Sequence, residues 1–182
     1  PMFIQEDPPK HDAQRKVVTP MFVPKQLAEL EPLIRERASS ILDNLPRNEE
    51  FNWVNHVSKE LTGQMLATLF DVPQEDRMKL VGWSDTIQNI NDPEVFETPE
   101  QGFQELFECL AYFTEYYEAR KQEPPKFDLI SMLAHDESTN NMTPQELLGN
   151  IVLLIVGGND TTRNSISGGV LALNKNPDQY EK

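Results

Sequence analysis

The chain reads as mainly α, and three observations predict it. No segment shows the apolar–polar alternation of a half-buried strand. Apolar residues recur instead at three- and four-residue spacing, as on one face of a helix. Two of the longest such segments open on capping boxes with Pro at the first helical position, Thr98-Pro99-Glu100-Gln101 and Thr143-Pro144-Gln145-Glu146.

In chain order, residues 2–5 read as a short extended lead-in, and Asp7-Pro8-Pro9 stops the chain and restarts it. A short helix follows over 10–18. His11 and Arg15 are four apart on it and share a face; the pair is either a solvated basic patch or a clamp for an anionic group. Thr19-Pro20 and Val23-Pro24 then break the chain. The next helix covers about 25–45, with Leu27, Leu30, Ile34, Ala38, Ile41 and Leu45 on one stripe. A helix over about 54–70 is expected to turn Val57, Leu61, Met65 and Leu69 inward. Asp71-Val72-Pro73 ends it before a helix over 75–90. The helix opened by Thr98 runs to about Gln122 with Phe103, Leu106, Leu110, Phe113 and Tyr117 along its packing stripe. After a Pro124-Pro125 linker comes a short helix over 128–135 and a polar loop over 136–141.

The segment from Thr143 to the next breaker, Pro177, has room for one helix of roughly 30 residues, about 45 Å long. Residues 151–156 are apolar on every face, so this helix is expected to lie buried across the centre of the domain. Gly157 and Gly158 sit in its middle, each costing about 1 kcal/mol relative to Ala. Asn159, Asp160, Thr161 and Thr162 follow at once. The Thr161 hydroxyl can return to the Gly157 carbonyl, a bond that bends helices. An acid and an alcohol at the weak point of a buried helix suggest a site. Two other readings exist: the glycines form a packing notch in an interaction module, or 151–156 is a buried strand before a nucleotide-cradling turn at 157–160. The turn lacks G-x-G-x-x-G or Walker spacing.

The net charge of −14 argues against nucleic acid as a partner. Residues 1–48 hold seven basic and seven acidic residues, so the rest of the chain carries all of it and leaves the N-terminal part as a face that an acidic protein could approach. The single cysteine excludes an internal disulfide. With no signal peptide and no apolar run of 18 residues, a soluble, cytoplasmic protein without a stable membrane anchor is expected. The first residue is Pro1 rather than Met, and Asn176-Pro177 starts a fresh helix just before the end, so both ends read as cut. No His, Asp and Glu group has metal-ligand spacing, and there is neither a Ser-His-Asp set nor a Gly-x-Ser-x-Gly elbow.

Gly157-Gly158-Asn159-Asp160-Thr161-Thr162 resembles the [A/G]-G-x-[D/E]-T-[T/S] motif in the long central helix of the cytochromes P-450, haem-thiolate monooxygenases. The D-P-P-x-H-x-x-x-R pattern ending at Arg15 resembles the family's C helix, and residues 69–87 resemble the E-to-F segment of its bacterial members. The resemblance implies a partial cytochrome P-450 fold, from about the C helix to the start of the J helix. Residues 1–182 would then be a single incomplete catalytic domain without the mostly β region and the haem-cysteine loop. It implies haem b (iron-protoporphyrin IX), with His11 and Arg15 on the propionates and Gly157 and Gly158 leaving space over the iron. Thr161 would donate a hydrogen bond to the oxygen being activated and Asp160 would relay protons. Leu153 and Val156 would line an apolar substrate pocket. The axial cysteine would lie outside the chain, because Cys109 sits on a helical pattern ahead of the central helix and reads as a packing thiol. The segment GGNDTTRNS and the residues after it look closest to the bacterial alkane and fatty-acid terminal hydroxylases, which use O2 and electrons from NAD(P)H through a ferredoxin reductase and a ferredoxin. Hydroxylases of steroid side chains and branched lipids share the segment.

Overall fold

A computed structural model describes residues 1–180, and among them helices and their connections are the only structure. Seven α-helices follow in order: α1 Lys10–Val18, α2 Pro24–Asp43, α3 Lys59–Phe70, α4 Arg77–Asn89, α5 Pro99–Gln122, α6 Leu129–His135 and α7 Pro144–Lys175. A π-helical turn, Val54–Ser58, leads straight into α3. The lead-in is not extended: Phe3–Gln5 is a 3-10 turn, closed by the Met2 N–H donating to the Gln5 side chain at 3.2 Å. Pro177 stops α7 and opens a 3-10 turn, Pro177–Gln179. Glu181 and Lys182, the end of the expected J-helix start, lie outside the described residues. No helix among the described residues is long and apolar enough to cross a membrane.

The 32-residue α7 is the axis of the fold, with α3, α4 and α5 packed around it. Leu147, Ile151, Val152 and Ile155 are buried there. An aromatic cluster forms the other side of the core, with the Phe70 and Phe113 rings 5.2 Å apart and Trp83 5.8 Å from Phe113. The helix runs unbroken through 151–160, which removes the strand and the nucleotide-cradling turn. It is not buried along its whole length, however. Asn159 is its last buried residue, and the Thr-, Ser-, Asn- and Gly-rich residues beyond it are partly or fully exposed.

Of three expected packing stripes, that of α3 is rotated, that of α2 is left mostly uncovered, and that of α5 holds at Leu106, Phe113 and Tyr117. On α3 the buried face is Thr62, Gly63, Leu66, Ala67 and Phe70, while Leu61, Met65 and Leu69 are only partly buried. On α2 only Ile41 is buried, and Leu27 and Ile34 are exposed. These two sets share an apolar groove with Gly158 and Thr162 of α7. The buried face of α5 is Gly102, Leu106, Cys109, Phe113, Tyr117 and Arg120, which leaves Phe103 outside. Gly102 is needed there, because a Cβ would come within 2.7 Å of the Ile90 side chain.

The first turns of α7 fix where α1 lies. Glu146 completes the Thr143 capping box and also takes an ion pair from Lys10 at 2.7 Å. One turn on, the Asn150 amide donates to Gln14 at 3.3 Å, and its oxygen accepts the Phe3 N–H at 2.7 Å. Both α1–α7 pairs are 136 residues apart, so the two helices run in the same sense and in step, turn for turn. The lead-in crosses α7 at Gly149, where any Cβ would collide with the Pro1 carbonyl oxygen at 1.9 Å.

Candidate active site

That register brings the third turn of α1 beside Leu153 and Leu154. His11, Arg15 and Val18 line an apolar recess with these two leucines, Phe3, Ile4 and Phe22. Val156 is partly buried but does not line it. The His11 ring is oriented by a 2.8 Å bond from Nδ1 to the Phe3 carbonyl oxygen. A carbonyl only accepts, so Nδ1 carries its hydrogen and Nε2 is left for a second partner. Arg15 is exposed, and its guanidinium has no acid partner among the described residues.

Farther along α7, Gly157 lies four residues beyond Leu153 and so on the same face. Both glycines of the motif are exposed, and they differ in what surrounds them. A Cβ at Gly157 would meet nothing within 4 Å; one at Gly158 would touch Leu66 Cδ2 at 3.0 Å. Gly158 is therefore the packing notch, and Gly157 opens onto free space. Thr161 is exposed one turn later, with its hydroxyl donating to the Gly157 carbonyl at 3.2 Å. Phe22 borders both the recess at Leu153 and the groove that Gly158 and Thr162 line, so the two apolar surfaces adjoin.

Asp160 is partly buried, and its Oδ1 accepts from Arg163 at 2.7 Å and from Asn164 at 3.1 Å. The other end of the Arg163 guanidinium binds Asp85 of α4, and the second oxygen of Asp85 takes Lys59 of α3 at 2.7 Å. Burial pushes the Asp85 carboxyl up, but the bonds from Arg163 and Lys59 outweigh it and hold the group below the usual carboxylate range. Burial also opposes charge on Arg163, and its two carboxylate partners more than restore it.

Sequence reasoning missed this chain of charges and Asn159. Asn159 is fully buried, with its oxygen accepting from the Thr62 hydroxyl at 2.7 Å, which ties the motif to α3. The i,i+3 spacing of Asp160 and Arg163 is a signal that sequence carries. Nothing local points to Asp85, Lys59 or Thr62. Cys109 is fully buried on α5, and burial pushes its thiol up to about 12.

The cytochrome P450 family model matches residues 2–182. The linalool 8-monooxygenase of Pseudomonas putida is 34% identical over 180 residues, covering 98% of this chain and 44% of that protein. The steroid C26-monooxygenase of Rhodococcus jostii is 33% identical, covering 99% of this chain and 38% of that protein. Among solved structures, cytochrome P450-153 from Novosphingobium aromaticivorans superposes with a TM-score of 0.88 at 49% identity, over all of this chain and 43% of that one. This chain thus spans less than half the length of the relatives it matches. Sharing their helices from the first residues through α7, it belongs to the cytochrome P450 family.

Proposed function

We propose that a full-length protein carrying this chain hydroxylates the terminal methyl group of an alkane or a fatty acid. The reaction joins one atom of O2 to the C–H carbon and reduces the other to water, using two electrons and two protons. NAD(P)H supplies the electrons through a ferredoxin reductase and a ferredoxin, and the reaction runs in the cytoplasm. The observation that carries this reading is the open face of α7, where Gly157 and Thr161 stand exposed beside the apolar recess at Leu153.

The family's cofactor is haem, with its axial cysteine outside these residues, and the described residues fit it. Gly157 borders space that a Cβ would enter unopposed, a cradle for a flat group lying against the helix. At one end of the recess stand the unpaired Arg15 guanidinium, a donor for carboxylates, and His11, whose Nε2 donates as well once the ring is an imidazolium; such charge-assisted bonds are stronger than neutral ones. Haem supplies the activation of O2 and the oxidation of the C–H bond.

The chain's own residues have the remaining work. Gly157 keeps a side chain away from the reacting oxygen, while Gly158 lets the helix pack close to Leu66. Thr161 offers a hydroxyl donor and loses its bond to the Gly157 carbonyl when it turns toward that oxygen. Asp160 carries protons to that hydroxyl, and a positioned acid contributes about 10²–10⁴-fold in rate. Leu153 gives the substrate an apolar wall and excludes water, with Val156 packed behind that face rather than lining the recess.

The resemblance of residues 157–165 to the terminal hydroxylases supports an unbranched substrate. The 33% identity to a steroid C26-monooxygenase favours a second reading, a steroid side chain or branched lipid oxidised in the same way. Product analysis separates them. The full-length protein, supplied with a ferredoxin and its reductase, is expected to convert an alkane or fatty acid to the terminal alcohol. Exclusive turnover of a steroid overturns the first reading, and absence of a thiolate-type band in the reduced CO spectrum overturns both.

A further inference from the structure

We infer that Arg163 is a positioning residue that holds the Asp160 carboxylate in place, with Asp85 acting only through Arg163. The inference rests on the role proposed above for Asp160 and adds the device that sets its geometry.

Four charged side chains from three helices alternate in sign: Asp160, Arg163, Asp85 and Lys59. The set is electrically neutral, so its partly buried members compensate one another. Arg163 is the most buried, with 12% of its side chain exposed. It uses Nη2 for Asp160 and Nη1 for Asp85, so neither acid displaces the other. Asp85 likewise divides its oxygens between Arg163 and Lys59. A guanidinium is a planar fork, so fixing one end on Asp85 fixes the direction from which the other end meets Asp160.

That direction matters because the two reactive side chains are drawn opposite ways along α7. The Thr161 hydroxyl bonds back to residue 157, and the Asp160 carboxylate is drawn forward to residues 163 and 164. A carboxylate held by Asn164 alone would keep the longer bond, from a neutral amide, and lose the shorter one from a charged guanidinium. A solvated acidic surface would need no such arrangement, and Lys59 could then pair with any of the chain's acids.

The test uses the full-length holoenzyme and the variants Arg163→Gln, Asp85→Asn, their combination, and Asp160→Asn. The first readout is static: the carboxyl carbon resonance of Asp160 in protein labelled with ¹³C-aspartate, assigned by its loss in Asp160→Asn. It is expected to move in Arg163→Gln and to move less in Asp85→Asn. The second is the solvent isotope effect on turnover, with the ratio of product to NAD(P)H consumed. Arg163→Gln is expected to lower that ratio about tenfold, a part of what a positioned acid contributes. Asp85→Asn is expected to lower it about threefold, and the double variant to match Arg163→Gln, since residues acting through one another are not additive. An unmoved Asp160 resonance, or additive losses in the double variant, overturns the inference. If Asp160→Asn itself leaves coupling and isotope effect unchanged, the role of Asp160 in proton delivery fails, while the resonance still reports whether Arg163 holds it.

Discussion

Gly157 and Gly158 are neighbours on α7, yet one borders open space and the other lies 3.0 Å, measured from its absent Cβ, from Leu66 of the core. Replacing Gly157 by Ala is therefore expected to stabilise the protein by about 1 kcal/mol, the ordinary helical gain. Gly158→Ala should gain less or lose, because Leu66 is 1% exposed and has little room to shift. The same Gly157→Ala methyl enters the space proposed for the reacting oxygen. Its melting temperature should rise while CO association to the reduced holoenzyme slows. Equal melting temperatures for the two variants would contradict the packing difference.

Thr161→Ala removes an exposed hydroxyl, one turn beyond Gly157, whose partner is the Gly157 carbonyl. In the full-length holoenzyme NAD(P)H oxidation is expected to continue, with product falling and peroxide rising. Unchanged coupling would remove Thr161 from proton delivery.

His11 and Arg15 reach the site because α1 is in step with α7 through Lys10–Glu146 and Gln14–Asn150. Changing both to Ala leaves those two pairs intact. Bonds to charged groups contribute roughly 1.5–3 kcal/mol each, so losing two should lower haem affinity at least about a hundredfold. Titration of the apo-protein with haem checks this, and parental affinity in the double variant would make the two residues surface charges only.

The Lys10–Glu146 pair also sets an acid limit. Lys10, and then the Thr143 backbone and hydroxyl, hold the Glu146 carboxyl at about 2, below the unfolded value of about 4.3. A depressed carboxyl contributes stability in full above its unfolded pKa and loses it as pH falls toward the folded one. Glu146→Gln keeps an acceptor for the capping box but cannot titrate. The parent is thus expected to be the more stable above about pH 4.3, with the gap closing toward pH 2. A gap independent of pH in chemical denaturation would separate Glu146 from this behaviour.

Helix starts are legible in the sequence because a cap is a local event: Thr143 and Glu146 are three residues apart, as are Thr98 and Gln101. The glycine–acid–alcohol motif is legible for the same reason. The buried face of a helix is decided by its neighbours, so the stripe of Leu61, Met65 and Leu69 looked inward by period alone and faces a groove instead. The partners of Asp160 divide along the same line. Arg163 is visible at i+3, whereas Asp85 meets Arg163 across 78 residues.

The same distinction governs Cys109. A lone cysteine in a haem protein invites assignment as the iron ligand, and sequence position alone argues against it. The structure adds two physical reasons. The side chain is fully buried on the core face of α5, in register with Leu106 and Phe113, so no haem can approach it without opening the core. Burial also pushes its thiol up to about 12, and iron is held by the thiolate. The 182-residue chain alone, mixed with haem, reduced and exposed to CO, is therefore expected to show no thiolate-type band. Cys109→Ser should leave its spectrum unchanged while lowering its stability, because a hydroxyl replaces a sulfur at a site with no exposure. A thiolate-type band that disappears in Cys109→Ser would show that α5 opens to let Cys109 ligate iron.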